Sequence, residues 1–210
     1  IGIPNGVMGL YEATGEVELF GERLPLNNPA HVLQKGLAMV SEDRRGVGLL
    51  LDQSIEDNIA FNAMQINGDY LKKHVFFTQK DRRKIRKTAQ EMIKQLDIRC
   101  TSPLQHAGTL SGGNQQKVCI ARALMMHPKF LFVSEPTRGI DIGAKKLVLE
   151  TLVVVSSELM ELRSVCDRIA IVAEGKIVDV LPSDASDAKY GLAMSGIKPD
   201  SEKAGGSNEK

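Results

Sequence analysis

The sequence predicts a layered α/β fold, because short apolar strands alternate along the chain with amphipathic helices. Phe130–Val133 is a continuous apolar run, which is typical of a strand buried inside a parallel sheet. The segment from Thr78 to Asp97 has helical periodicity, since its apolar residues fall on one stripe of a helix. A chain of 210 residues is long enough for one large domain or two small ones.

The first half of the chain contains a hairpin, a strand and a capped helix in that order. Residues 16–20 alternate polar and apolar side chains before the Gly21-Glu22 turn, which predicts an antiparallel hairpin. Residues 37–40 form a short apolar strand that runs into a polar loop. Ser54 precedes two acidic residues and then apolar positions at helical spacing, so we expect it to cap a helix.

The second half predicts a helix after Gly113 that ends before Pro128, followed by the strand at Phe130–Val133. Residues 144–152 have helical character, and the apolar run 153–155 is typical of another strand. Two apolar stretches, 169–172 and 176–180, flank a Glu-Gly turn and predict a second hairpin. From Pro182 the chain becomes polar, and we expect residues 204–210 to be disordered.

Composition narrows the possible partners and compartments. Lys and Arg number 27 against 26 Asp and Glu, and this balance argues against a nucleic-acid partner. No apolar run reaches the roughly 18 residues that span a bilayer, and the first residues show no export leader. Three cysteines without a CxxC pair predict neither a disulfide framework nor a zinc site, so we expect a reducing compartment.

A run of basic residues lies on one face of the predicted helix around residue 85. It is compatible with a nucleic-acid or lipid patch, or with an ordinary solvated helix face. The balanced net charge and the absence of aromatics among these basic residues favour the solvated face. The run comprises Lys80, Arg82, Arg83, Lys84, Arg86 and Lys87.

The stretch Leu110–Lys117 reads LSGGNQQK and opens a helix. Gly112 and Gly113 let the backbone approach an anion closely, and Ser111 adds a hydroxyl donor. The first turn of a helix also presents N–H groups and the positive end of its dipole. This pattern predicts a phosphate-binding loop, although by itself a glycine turn that merely caps a core helix is equally compatible with it.

The following strand supplies the context for this loop. It reads FLFVSE and ends at Glu135, and a buried strand that ends in a carboxylate is typical of nucleotide sites. Together these segments resemble the ATP-binding cassette (ABC) family: LSGGNQQK resembles its signature loop, FLFVSE its Walker B strand and RGID its D-loop. The strand ending at Glu42 resembles the Q-loop, SIEDNIAF the helix after it, and Ser157 stands at the switch position.

The resemblance covers about residues 1–182 and implies an ABC nucleotide-binding domain: an α/β, P-loop NTPase-like fold with a layered mixed sheet, an antiparallel portion and a helical subdomain at about 50–125. Residues 183–210 would then be a C-terminal extension. The variants LSGGNQQK, EPTRGID and SSEL resemble the C-terminal half of tandem ATPases of bacterial ribose, galactose, arabinose and xylose importers. Nucleoside importers share LSGGNQQK and remain an alternative, as does a soluble ABC protein acting on ribosomes or DNA.

The resemblance implies ATP and Mg²⁺ as ligands, and a cytoplasmic position at the inner or plasma membrane. The implied partners are an N-terminal cassette or a dimer mate, transmembrane permease subunits and, indirectly, a sugar-binding protein. It further implies that Ser111, Gly112, Gly113, Asn114 and Gln115 hold the γ-phosphate of a partner's ATP. Glu135 would be the general base, and Gly139 and Asp141 would form the D-loop that couples the two sites.

Several positions depart from the family pattern. The chain has no G-x-x-x-x-G-K-[ST] motif, and its first residues resemble an abridged, degenerate phosphate loop at Asn5 and Gly6. Ser134 replaces the expected aspartate, Glu42 replaces a glutamine, and Ser157 replaces a histidine. These departures predict that the chain's own ATP site is weak or silent, which leaves a catalytically silent half-cassette as a further alternative.

Other candidate residues have a structural interpretation. The four histidines lack metal-ligand spacing, so we expect single surface or loop positions. Met92, Met125 and Met126 are predicted to pack in a core or an interface. Cys119 is expected to be a small buried hydrophobe rather than a nucleophile.

Overall fold

The computed structural model describes residues 2–41, 43, 46, 48–135 and 151–198. The chain divides into two compact units, Ile1–Val155 and Ser156–Lys210. The helices of the first unit are α1 (Gly2–Val7), α2 (Pro29–Gln34), α3 (Ile55–Asn62), α4 (Arg82–Gln95) and α5 (Gly112–Leu124), with a π-helical turn at Ala63–Asn67 and a 3₁₀ turn at Ala107–Thr109. Its strands are β1 (Val17–Leu19), β2 (Glu22–Leu24), β3 (Leu37–Val40), β4 (Leu71–Lys73), β5 (Thr78–Lys80), β6 (Phe130–Ser134) and β7 (Thr151–Val155).

A parallel three-stranded sheet forms the centre of the first unit, in the order β3-β6-β7. Phe130 pairs with Leu37 on one side and with Thr151 on the other. The predicted strands at 37–40, 130–133 and 153–155 are therefore confirmed. The predicted helix at 144–152 is wrong at Thr151 and Leu152, which begin β7; its residues 144–150 lie outside the described part of the chain. A run of Thr, Leu and three Val residues favours a strand because β-branched side chains pack well on a pleated surface.

The helices α3, α4 and α5 pack beside this sheet around one apolar core. Ser54 caps α3 as predicted, since its hydroxyl accepts a hydrogen bond from the Asp57 N–H (3.1 Å). Arg122 of α5 is buried and donates from Nε to the Asn58 carbonyl of α3 (2.9 Å). Burial lowers the pKa of Arg122, because a charged guanidinium loses solvation there. The predicted core positions Met92, Cys119, Met125 and Met126 are buried, and these predictions are confirmed.

The start of α4 differs from the prediction. Residues 78–80 form β5, which pairs antiparallel with β4, and the helix begins only at Arg82. Asp81 sets this boundary, because its carboxylate accepts from the Lys84 N–H (3.1 Å) as an N-cap. The apolar period that predicts the helix is present only from Ile85 onwards, so periodicity could not locate the start.

A short helix precedes the predicted hairpin near the N-terminus. The hairpin itself is confirmed, but its turn lies one residue earlier than predicted: β1 pairs antiparallel with β2 through Phe20 and Gly21, whose φ angles of 50° and 79° are both in the left-handed region, and Glu22 begins β2. The preceding helix α1 was not predicted from the sequence, because six residues containing two glycines and a proline carry no helical period.

The second unit contains α6 (Leu159–Val165), β8 (Arg168–Ala173), β9 (Lys176–Pro182) and α7 (Asp187–Met194). The predicted hairpin is confirmed, with Glu174 and Gly175 at its turn. Helix α7 lies in the predicted C-terminal extension and packs on the hairpin, where the Tyr190 hydroxyl donates to the Pro182 carbonyl (2.9 Å). The extension therefore shares a core with β8 and β9, whereas residues 204–210 lie outside the described part of the chain.

Ion pairs join α3 to the segment carrying β5 and α4. The Asp57 carboxylate accepts from Lys80 (2.9 Å) and Arg82 (2.8 Å), and Glu56 pairs with Arg86. Burial raises the pKa of Asp57, but hydrogen bonds from Arg82, Lys80 and Ser54 outweigh this effect and hold the pKa at about 2. The basic run is therefore partly paired with acidic residues rather than wholly solvated.

Asp57 should make the stability of the chain pH-dependent. Because its folded pKa is about 2 and its ordinary value is 3.8, its contribution is complete above pH 3.8 and disappears as the pH falls through 2. We expect Asp57→Asn to cost about 1 kcal/mol at neutral pH, after discounting for solvent around the partly exposed cations. Urea unfolding of both proteins between pH 7 and pH 3 measures this; a cost that stays constant down to pH 3 would contradict it.

Candidate functional site

Helix α5 begins at an open, exposed turn. Ser111 is its N-cap residue, with φ −61° and ψ 155°, but the Ser111 side chain makes no capping hydrogen bond to the helix. Instead the Ser111 hydroxyl accepts a hydrogen bond from Nδ2 of Asn114 (3.0 Å). The helical ladder begins where the Gln115 N–H donates to the Ser111 carbonyl (2.9 Å). The N–H groups of the preceding turn therefore lie outside the ladder and give this end its positive potential.

Small residues keep this turn accessible. Ser111, Gly112 and Gly113 are all exposed. A Cβ atom built on Gly113 would have no heavy atom within 4 Å outside its chain neighbours and its own helix backbone, so the space in front of this residue is open. An anion can therefore approach the backbone at Gly113 without displacing protein atoms.

Polar side chains hold the turn from behind. The Asn114 Oδ1 accepts from the Arg99 N–H (2.8 Å), and the Lys117 ammonium donates to the Asp97 carbonyl (2.7 Å). Gln115 is buried, and its side-chain amide donates to the Ala107 carbonyl (3.3 Å). Of the predicted signature residues, Ser111, Gly112 and Gly113 thus present the surface, while Asn114 and Gln115 position it.

Sequence reasoning missed Asp97 and Arg99 as supports of this turn. Both precede the motif by more than ten residues, and their hydrogen bonds to it are made by backbone groups, which carry no residue-type signal; the Asp97 carboxylate adds only a longer ion pair to Lys117 (3.7 Å).

The C-terminal end of β6 carries the two predicted Walker B residues. Ser134 is fully buried, and its Oγ has no hydrogen-bond partner among the described residues. Glu135 is half-buried with a φ of 43°, a left-handed conformation that is uncommon for a residue with a side chain. Its N–H donates to the Val155 carbonyl (2.7 Å), and the Gln116 side-chain amide lies 3.5 Å from its carbonyl. The strand end is thus linked to α5 through Gln116, which lies within the LSGGNQQK motif.

The residues at this strand end do not by themselves fit a divalent cation. Mg²⁺ is held in proteins by carboxylates together with substrate phosphates, and Ser134 offers a hydroxyl where a carboxylate would be needed. Across the described ranges, no three or more His, Cys, Asp or Glu side chains come together in a way that could hold a metal ion.

The remaining predicted site residues are dispersed. Asn5 and Gly6 lie inside α1 rather than in a loop, and Asn5 is buried with its Oδ1 unpartnered among the described residues. Ser157 is exposed in the second unit, next to Ser156, whose hydroxyl donates to Glu161 (2.8 Å). The predicted Q-loop residue Glu42 and the predicted D-loop residues Gly139 and Asp141 lie outside the described part of the chain.

Comparison with known proteins decides the family. Residues 5–138, which include α5 and β6, match the ABC transporter family. The chain belongs to the ABC transporter family.

Solved ABC structures share its fold. A nucleotide-free ATP-binding cassette from an ABC transporter superposes with a TM-score of 0.66 at 20% identity, covering 92% of this chain and 79% of that one. The cbiO1 protein of Clostridium perfringens, part of the ABC transporter complex cbiONQ, gives a TM-score of 0.62 at 19% identity, covering 93% and 75%. The predicted α/β ABC fold is therefore confirmed.

Relatives in sequence are ABC proteins of sugar import. The ribose import ATP-binding protein RbsA of Caldanaerobacter subterraneus is 36% identical over 90% of this chain and 40% of its own length. The xylose import ATP-binding protein XylG of Thermoanaerobacter pseudethanolicus is 38% identical over 82% of this chain and 35% of its own. The chain thus spans about two fifths or less of the length of these relatives. No helix in the described segments has the length and apolar character needed to cross a bilayer.

Proposed function

We propose that this ABC chain is one cassette of an ATP-driven monosaccharide importer and that its α5 N-terminus completes an ATP site on a partner cassette. The names of the relatives, ribose and xylose import ATP-binding proteins, support the substrate class. The chain's length relative to them supports a partner cassette within the same longer polypeptide, and a dimer mate would serve the same role.

The open turn at Ser111–Gly113 is the observation that carries this proposal. Its residues are exposed at the first turn of α5, and a Cβ atom added to Gly113 would meet no heavy atom within 4 Å outside its chain neighbours and its own helix backbone. A terminal phosphate delivered by another subunit would therefore have room to approach the helix start at Gly113. Donors fixed in advance stabilise charge that builds up during phosphoryl transfer, because no reorganisation is required when the reaction occurs.

The chain's own nucleotide site is proposed to be weak. Ser134, at the end of β6, supplies a hydroxyl in place of a carboxylate for Mg²⁺. In this proposal Glu135 acts as general base for its own site, with Asp141 and Gly139 coupling it to the partner's site and Glu42 and Ser157 occupying the Q-loop and switch positions. The hydroxyl of Ser134 in place of a carboxylate favours the second candidate, a half-cassette that binds nucleotide and does not hydrolyse it.

The proposed partners follow from the import function. Closure of the two cassettes would move the transmembrane permease subunits bound to them. A sugar-binding protein would act through the permease subunits. The chain would then act at the cytoplasmic face of the membrane, and Mg-ATP would be its nucleotide substrate.

ATP-dependent association tests the proposal. The 210-residue chain, mixed with the partner cassette of its parent protein, should elute as a heterodimer with ATP and as separate chains without nucleotide. The partner should carry a substitution of its general base, so that it does not hydrolyse ATP during the experiment. ADP serves as the control nucleotide. Equal elution with and without ATP would overturn the proposal.

A further inference from the structure

The hairpin formed by β4 and β5 ends in an exposed apolar tip, residues 74–77. Val75 is 91% exposed, Phe76 96% and Phe77 60%. The strands below it pair in register, with Lys73 opposite Thr78. Three consecutive large apolar side chains in solvent form a contiguous patch, which marks an interaction surface rather than ordinary surface composition.

The tip is held in this exposed arrangement by its own turn. The His74 N–H donates to the Phe77 carbonyl (2.8 Å), and the His74 ring stacks on the Phe77 ring at a centroid distance of 4.6 Å. These contacts close the turn, so Val75 and Phe76 project beyond the last strand pair. The tip is therefore a preformed convex wedge.

A positively charged side chain lies next to the wedge. Residues 71–80 contain three lysines and no acidic residue. Lys72 and Lys80 are anchored near the base of the hairpin by Asp81 (3.1 Å) and Asp57 (2.9 Å), whereas Lys73 is exposed directly below the tip. An apolar tip with an exposed lysine beside it complements a surface that is apolar inside and anionic outside.

We propose that the hairpin tip inserts into the interfacial layer of an anionic lipid bilayer, with Phe76 and Val75 among the acyl chains and Lys73 at the phosphate headgroups. A bilayer accepts a convex apolar wedge without a matching pocket, whereas a protein partner would have to supply one. Amphipathic elements bind in this way through buried apolar area together with attraction to anionic lipids. The contact is independent of the proposed ATP site, because it uses none of the residues around α5.

A tryptophan reporter tests the insertion directly, since the chain contains no tryptophan of its own. In Phe76→Trp, emission should shift to the blue on adding phosphatidylglycerol vesicles and be quenched by lipids brominated on their acyl chains. Leu104→Trp is the matched control, because Leu104 is also exposed in the first unit but lies away from the hairpin in sequence. Its emission should not change.

Variants of Lys73 and of the apolar tip separate the contributions of charge and of apolar contact to vesicle binding. Lys73→Glu should weaken vesicle binding by at least about fivefold, because each basic residue near an anionic membrane contributes roughly that factor. Lys94→Glu, the same charge change at the far end of α4, should leave binding almost unchanged. Phe76→Ser alone should also reduce vesicle binding. Raising the salt concentration should weaken vesicle binding for every protein that binds.

Three outcomes would overturn the proposal. They are unchanged emission of Phe76→Trp with anionic vesicles, equal quenching of both reporters, and quenching only in vesicles that also contain permease subunits. The last would identify a protein partner instead. Whether or not the protein binds vesicles, its ATP-dependent association should be unaffected. Failure of the membrane-insertion proposal and failure of the proposed function can therefore be distinguished.

Discussion

Replacing Gly113 with glutamate is expected to reduce ATP turnover by the assembled cassettes by about 100-fold or more while the chain remains folded. The new side chain would stand in the open space at the α5 N-terminus and place a negative charge at the proposed γ-phosphate position. Fold stability should be unchanged or slightly higher, because glutamate exceeds glycine in helix propensity and suits the first turn of a helix. ATPase assays and thermal unfolding of the same preparations measure both quantities.

Gly191→Glu provides the matched control for this variant. Gly191 lies in helix α7, and a Cβ atom added there would likewise meet open space within 4 Å, but this residue is remote from the signature loop in sequence. The substitution should leave turnover within about twofold of the unmodified protein. Gly113→Ala should fall between the two, because a methyl group narrows the approach without adding charge. Full activity in Gly113→Glu would remove the signature loop from the mechanism.

The sequence predicted those parts of the fold whose signals are local. The apolar strand at Phe130–Val133 and the cap at Ser54 were located correctly, because each depends on residue types within a few positions. The region 78–80 was assigned to the wrong element, since its pairing with β4 is a contact across a turn and leaves no period in three residues. Helix α7 was missed for a related reason: it is stabilised by packing on β8 and β9 rather than by a strong pattern of its own.

The sequence predicted the exposed helix start of the candidate site, whereas its phosphate-binding role stays a prediction. The order of residues in LSGGNQQK predicted a phosphate-binding turn, and the structure places Ser111 to Gly113 at an exposed helix start. Which side chains of the motif are exposed and which are buried could not be predicted from the sequence, because the inward position of Gln115 depends on the Ala107 carbonyl beside it. The left-handed backbone of Glu135 is equally non-local, since its N–H is fixed by the neighbouring strand at Val155.

The ion pair between Glu56 and Arg86 is expected to have the largest effect on stability among the charged contacts. Glu56 is fully buried, and its carboxylate accepts from Arg86 Nε and from Arg86 Nη2 (3.1 Å), with Arg82 at 3.7 Å. This contact also raises the pKa of Arg86, through hydrogen bonding and the carboxylate charge. Removing one partner leaves a buried charge poorly compensated, which is far more costly than removing both partners.

We therefore expect Arg86→Met to lower the Tm by about 8 °C, and Glu56→Leu combined with Arg86→Met to recover most of that loss. Arg83→Met is the control, because Arg83 lies on the exposed side of the same helix, and it should change the Tm by no more than about 2 °C. Thermal unfolding followed by circular dichroism compares the three with the unmodified chain. A double variant less stable than Arg86→Met would contradict this expectation. The ion pair would then stabilise the fold by more than its apolar replacement does, because its net contribution would exceed the cost of burying both charges.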